Sequence, residues 1–151
     1  MSRPEGGYIL LRSQVLNVLE SFSQSEDQHE SGGILLGSYR GDHIEVVHAT
    51  NPAPSDDRSP VSFNRLRQCH QQSAEEMWAA SNGTVTYIGE WHTHPELTPN
   101  PSQIDLNSWK NLLPQRPMVL LIQGYNEIYI GLQTADRKFC SRARGKRRRS
   151  K

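Results

Sequence analysis

Glu90-Trp91-His92-Thr93-His94-Pro95, followed closely by Pro101-Ser102-Gln103-Ile104-Asp105, decides how the rest of the chain is read. Thr84–His94 is rich in β-branched and aromatic residues and reads as a strand. Side chains two apart on a strand share a face, so His92 and His94 can aim two imidazoles at one point. The three prolines of Pro95–Pro101 exclude regular structure and let the chain turn back. Ser102-x-x-Asp105 has the spacing of a capping box, which starts a helix and fixes where Asp105 points. Two nitrogens and one carboxylate oxygen form a catalytic rather than a structural zinc set, because three protein ligands leave one tetrahedral position open.

Each piece also has an ordinary reading. Two histidines on a strand are commonly just packed, and Ser102 with Asp105 can be a helix cap and nothing more. The capping and metal-binding roles are compatible. What favours a metal centre is their occurrence together with an upstream segment, Glu30-Ser31-Gly32-Gly33-Ile34-Leu35-Leu36-Gly37. There a carboxylate precedes two glycines and a buried strand. The glycines allow close backbone approach, so Glu30 can be held near the histidines as the proton acceptor that hydrolysis requires. Ser102 is then a candidate donor to the oxyanion that develops on a carbonyl. His29, His43, His48 and His70 lack such context and read as surface or core residues.

Outward from this centre, Tyr8–Arg12 reads as a strand and Ser13 as the cap of a helix carrying Leu16, Leu19 and Phe22. Gly33–Tyr39 and Ile44–Ala49 form a hairpin around Arg40–His43. Asn51–Pro60, with three prolines, is a loop. Asn64–Ser81 reads as a helix with Leu66, Cys69, Met77 and Trp78 as core contacts, stopped at Asn82-Gly83. Ser102–Asn111 is a further helix. Met118–Gln123 and Glu127–Gln133 are strands joined at Gly124–Asn126. The expected architecture is α/β: one domain with a curved mixed sheet flanked by two or three helices.

The 151 residues suit one such domain, with 34% hydrophobic and 22% charged. No stretch approaches a membrane span, and no apolar run follows Met1–Gly7 as a signal peptide requires, so the expected address is the cytoplasm. Cys69 and Cys140 stand apart and read as free thiols. The net charge of +1 conceals an asymmetry. Residues 1–136 hold 8 Lys/Arg against 16 Asp/Glu, whereas 137–151 hold nine basic residues and no acidic one. The expected division is a folded domain over 1–136 and a basic, disordered tail over 137–151. The tail could attract an acidic partner or nucleic acid.

The two segments around His92–Asp105, with Glu30–Gly37, resemble the JAMM motif and upstream catalytic segment of the JAB/JAMM (MPN+) zinc metallopeptidases. The resemblance covers about residues 8 to 135. It implies His92, His94 and Asp105 as ligands of one Zn2+ per chain, Glu30 as general acid/base and Ser102 as oxyanion donor. It also implies a curved sheet flanked by helices and a deubiquitinase-like isopeptidase activity. The wording Gly89-Glu-Trp-His-Thr-His-Pro95 is similar to stand-alone bacterial JAB peptidases of CBASS anti-phage operons, which release a CD-NTase from proteins to which its C-terminus is joined. The substrate implied is a protein with an extended C-terminal tail, either a CD-NTase conjugate or a ubiquitin-like protein. Little sequence separates Asp105 from the closing strands, leaving no room for a long ubiquitin-gripping insertion. The alternatives are trimming of a ubiquitin-like sulfur-carrier protein and a non-enzymatic scaffold that binds nucleic acid through its tail.

Overall fold

Runs of alternating or continuous apolar residues set the strands, and the computed structural model describes residues 7–22, 31–51, 57–58, 63–64, 68–136 and 138–146. In chain order the elements are β1 (Ile9–Leu11), α1 (Ser13–Ser21), β2 (Gly32–Arg40), β3 (His43–Ala49), β4 (Asp57–Arg58), β5 (Phe63–Asn64) and α2 (Gln68–Ala80). There follow β6 (Thr86–Thr93), α3 (Gln103–Leu112), β7 (Met118–Gln123), β8 (Glu127–Gln133) and β9 (Phe139–Lys146). Seven strands form one sheet in the order β1-β3-β2-β6-β7-β8-β9, and β4 pairs with β5 in a separate ribbon. β1 runs parallel to β3, and β6 runs parallel to β7. The remaining pairs are antiparallel. With three helices among the described residues, this is the mixed α/β domain expected.

Each face of the sheet has its own core. On one, Val15 and Leu19 of α1 pack with Leu35, Val46, Trp91 and Leu121. On the other, Trp109 and Leu113 pack with Met118, Leu120 and Ile122. The odd and even positions of β7 thus go to opposite sides, as a strand buried on both faces requires. Gly33 meets a close approach: a Cβ there would lie 2.5 Å from Thr50 Oγ1 and 2.9 Å from Trp91 Nε1. Trp91 donates Nε1–H to Thr50 O at 3.0 Å, and Thr50 Oγ1 accepts from Ile34 N–H at 3.0 Å. This buried lock holds β2 flat against the strand that carries the histidines.

Several expectations need correction. Arg12, not Ser13, is the N-cap of α1, and it makes no side-chain cap bond. Trp78 is 55% exposed rather than in the core. Its ring lies instead over Gly83, whose φ of 80° with Asn82 at 56° ends the helix as expected. Leu66 lies outside the described residues, as do the side chains of Cys69 and Cys140. Part of the Asn51–Pro60 loop forms β4. The largest correction concerns the basic segment: Phe139–Lys146 is not a disordered tail but the outermost strand, paired along β8 from Gln133↔Phe139 to Glu127↔Lys146. It lacks an apolar pattern because backbone hydrogen bonds to β8 suffice to seat an edge strand. Among the described residues no helix is long and apolar enough to cross a membrane.

Candidate metal centre

β6 carries His92 on the face toward α3, where its ring centroid lies 6.2 Å from that of Trp109. His94 stands just past the end of β6, and its backbone N–H donates to Gln123 O of β7 at 3.0 Å. The intervening Thr93 faces the other way and is fully buried. Both histidine side chains are buried, with 5–6% of their residue surface exposed.

Asp105 reaches them from the first turn of α3. Ser102 is the N-cap, and its Oγ accepts from Asp105 N–H at 3.0 Å. The Asp105 Oδ2 in turn accepts from Ser102 N–H at 2.8 Å. The capping box read from the sequence is therefore formed, and it points the carboxylate inward. Asp105 Oδ1 lies 3.2 Å from His92 Nε2, and Oδ2 lies 3.0 Å from His94 Nε2. The two Nε2 atoms are 3.2 Å apart. Metal–ligand bonds of about 2.0–2.1 Å in a tetrahedron give ligand separations of roughly 3.3 Å. The two imidazole nitrogens and the carboxylate, one oxygen toward each, therefore converge at distances near those of a zinc site, and His92, His94 and Asp105, with one ligand atom each within 4.8 Å of the others, are the one such group among the described residues. The donor set of two imidazoles and one carboxylate fits the same ion.

Burial alone would raise the Asp105 pKa. Nearby positive charge at His92, hydrogen bonds from both histidines and the Ser102 N–H more than offset it, and hold the carboxyl well below the usual range. In the metal-free site the carboxyl thus favours the ionised form that a metal ligand requires.

Glu30 lies outside the described residues. Its neighbour Ser31 is bonded through both its N–H and its carbonyl to Thr93, between the two histidines, and Gly32 pairs with His92 across the sheet. His43 is at the surface, where its Nδ1 accepts from Tyr8 N–H, and His48 is half-buried, with burial lowering its pKa. His29 and the His70 side chain are not among the described groups. One contact had no signal in the sequence: Glu96 Oε1 lies 2.9 Å from His94 Nδ1. A carboxylate two residues along a proline-rich loop has no set direction until the loop's partners are known.

The comparisons agree with this geometry. Residues 12–138 match the family model described as prokaryotic homologs of the JAB domain. The chain is 39% identical over 126 residues to a CD-NTase/cGAS isopeptidase of Escherichia coli, covering 82% of this chain and 81% of that one. A CD-NTase/cGAS isopeptidase of Pseudomonas aeruginosa is 42% identical over 124 residues, covering 77% and 78%. The solution structure of a protein from Desulfitobacterium hafniense superposes with a TM-score of 0.63 at 23% identity, covering 89% of each chain, and supports the fold. The model match over most of the folded chain, with relatives near 40% identity along the same span, shows that this chain belongs to the prokaryotic JAB-domain family and is a hydrolase of the JAMM kind.

Proposed function

We propose that the protein is a zinc-dependent isopeptidase that cuts the bond joining the C-terminus of a conjugated protein to its target, with a CD-NTase as the conjugated protein. The observation that carries this reading is the convergence of His92 on β6, His94 just past its end and Asp105 in the first turn of α3 at distances near those of a zinc site. The substrate comes from the relatives named CD-NTase/cGAS isopeptidase.

In this reading His92, His94 and Asp105 hold the zinc. When bound, zinc polarises the scissile carbonyl and lowers the pKa of the attacking water. Glu30 takes the proton from that water and returns it to the departing lysine or α-amine. Ser102 uses an oxygen lone pair to cap α3, so its O–H remains to donate to the developing oxyanion. A substrate tail lying extended along the sheet would bind through its main chain, with selectivity at the residues nearest the cut.

The test is direct. A CD-NTase tail fused or conjugated to an unrelated protein is incubated with the zinc-loaded enzyme, and products are read by mass spectrometry. Cleavage directly after the last tail residue is expected, and it should stop when the last two or three tail residues are changed. Cutting inside the acceptor, or indifference to the tail, would reject deconjugation. Zinc content is measured alongside: His92→Ala, His94→Ala and Asp105→Ala should each lose the metal, as each removes one of three protein ligands.

A further inference from the structure

The Glu96 carboxylate sits behind His94 in a manner its neighbours dictate. Glu96 N–H donates to His94 O at 2.9 Å, closing a tight turn through Pro95. Its own carbonyl accepts from Tyr125 N–H at 2.8 Å, and the next carbonyl, Leu97 O, accepts from Glu127 N–H at 3.2 Å. Both donors belong to the β7–β8 hairpin. At Gly124 of that hairpin a Cβ would lie 2.4 Å from Glu96 O, so only glycine allows the loop to sit this close. The backbone of residues 94–97 is thus bonded to the hairpin at three points, counting His94 N–H to Gln123 O. From that fixed backbone the Glu96 side chain, half exposed, reaches the buried His94 Nδ1 at 2.9 Å.

We infer that Glu96 is a positioning residue for the metal centre: its carboxylate accepts a hydrogen bond from His94 Nδ1–H, which keeps the proton on that nitrogen and leaves the Nε2 lone pair to face the metal. An imidazole with its proton on Nδ1 has Nε2 free as a ligand, and a carboxylate on the outer nitrogen both orients the ring and raises its basicity. The Nε2 in question is the atom lying 3.2 Å from His92 Nε2 and 3.0 Å from Asp105 Oδ2. Glu96 is not a member of the candidate ligand group and acts through His94. The inference rests on the reading of His94 as a ligand.

Zinc affinity by competition with a chromogenic chelator, at one pH, tests it. Urea unfolding of the metal-free proteins accompanies each measurement. Glu96→Ala should weaken zinc binding by about 10- to 100-fold, the usual effect of losing a partner of this kind. Its metal-free stability should be unchanged, because the side chain is half exposed and the loop is held by backbone bonds. Glu96→Gln retains an oxygen acceptor and should recover most of the affinity. Affinity within about two-fold of wild type in Glu96→Ala, with zinc lost in His94→Ala, would reject the role of Glu96 and leave the metal site standing. A matching fall in metal-free stability would make the contact structural and also overturn it. Undiminished affinity in His94→Ala would remove the ligand assignment and Glu96's role with it.

Discussion

Thr93 and Ser31, 62 residues apart in sequence, are joined by three hydrogen bonds, the longest from the Thr93 hydroxyl to Ser31 O at 3.5 Å. Ser31 N–H donates to Thr93 Oγ1 at 2.9 Å, and Thr93 N–H donates to Ser31 O at 2.9 Å. Thr93 stands between the two histidines and is fully buried, so its hydroxyl ties the histidine strand to the residue that follows Glu30.

Thr93→Val should therefore act on turnover more than on metal binding. Valine preserves the shape but strands a buried N–H, which costs about 1–3 kcal/mol. The histidines project from the opposite face and should keep their spacing, so zinc content should stay near one per chain. The Ser31 backbone loses its anchor, and the carboxylate next to it loses its aim, so kcat should fall at least about ten-fold. Thr93→Ser restores the acceptor and should recover kcat. Equal kcat in the valine and wild-type enzymes would show that this bond does not position Glu30.

Much of this was legible in the sequence. Met118–Gln123 and Glu127–Gln133 emerge with the ends read from their apolar runs, because both strands lie between two covered faces and their inner positions, 118–122 and 128–132, are apolar or glycine. The grouping of His92, His94 and Asp105 was legible because its parts use local rules: two-residue alternation on a strand and a capping box whose ends stand three residues apart. What escaped depends on contacts far along the chain. β9 has no apolar signature, since β8 supplies its backbone partners. Trp78 matched a helical apolar stripe but lies outward over the Gly83 turn. Glu96 acquires its direction only when the β7–β8 hairpin docks against its loop. Near Ile88 the β2–β6 register shifts, with Leu35 opposite Gly89 and Leu36 opposite Tyr87. Such a bulge breaks the two-residue count, so Tyr87 and Glu90 share a face and bond at 3.1 Å although three residues separate them.

The strand at the basic end changes what truncation should do. Deleting 137–151 removes β9 and uncovers the hydrogen-bonding edge of β8, which carries the buried Ile128, Ile130 and Leu132. A loss of more than about 2 kcal/mol is expected, a large share of a small domain's stability. Deleting only 147–151 leaves β9 in place and should not move the melting temperature. Chemical denaturation of the two truncations distinguishes them. Equal stability of the longer deletion and the full chain would mean that β9 adds nothing to the sheet.

Ser102→Ala separates capping from catalysis. The substitution removes the acceptor for Asp105 N–H, and loss of such a cap costs about 1 kcal/mol. It does not remove the bond that aims the carboxylate, because Asp105 Oδ2 accepts from the backbone N–H of residue 102. Zinc affinity should thus remain close to wild type. If the hydroxyl also serves the oxyanion, kcat should fall by about 10²-fold or more. Kinetics are read well below the melting temperature, so that the lost cap does not masquerade as lost chemistry. Unchanged kcat with the expected loss of stability would leave Ser102 as a cap alone.

Glu30→Gln asks whether the carboxylate upstream of β2 is the base. The amide keeps the size and shape of the side chain but cannot accept the water's proton, so the fold and the zinc should persist while turnover nearly vanishes. General acid–base groups contribute about 10²–10⁴-fold, and kcat should fall within that range. The defect should lie in kcat rather than KM, since the proton is moved only during reaction. Binding of the uncut tail should be as tight as in wild type, which separates a lost base from a disturbed groove. A variant that kept more than about a tenth of wild-type kcat would exclude Glu30 as the base and turn attention to Glu90, the carboxylate of the histidine strand, buried and bonded to Tyr87.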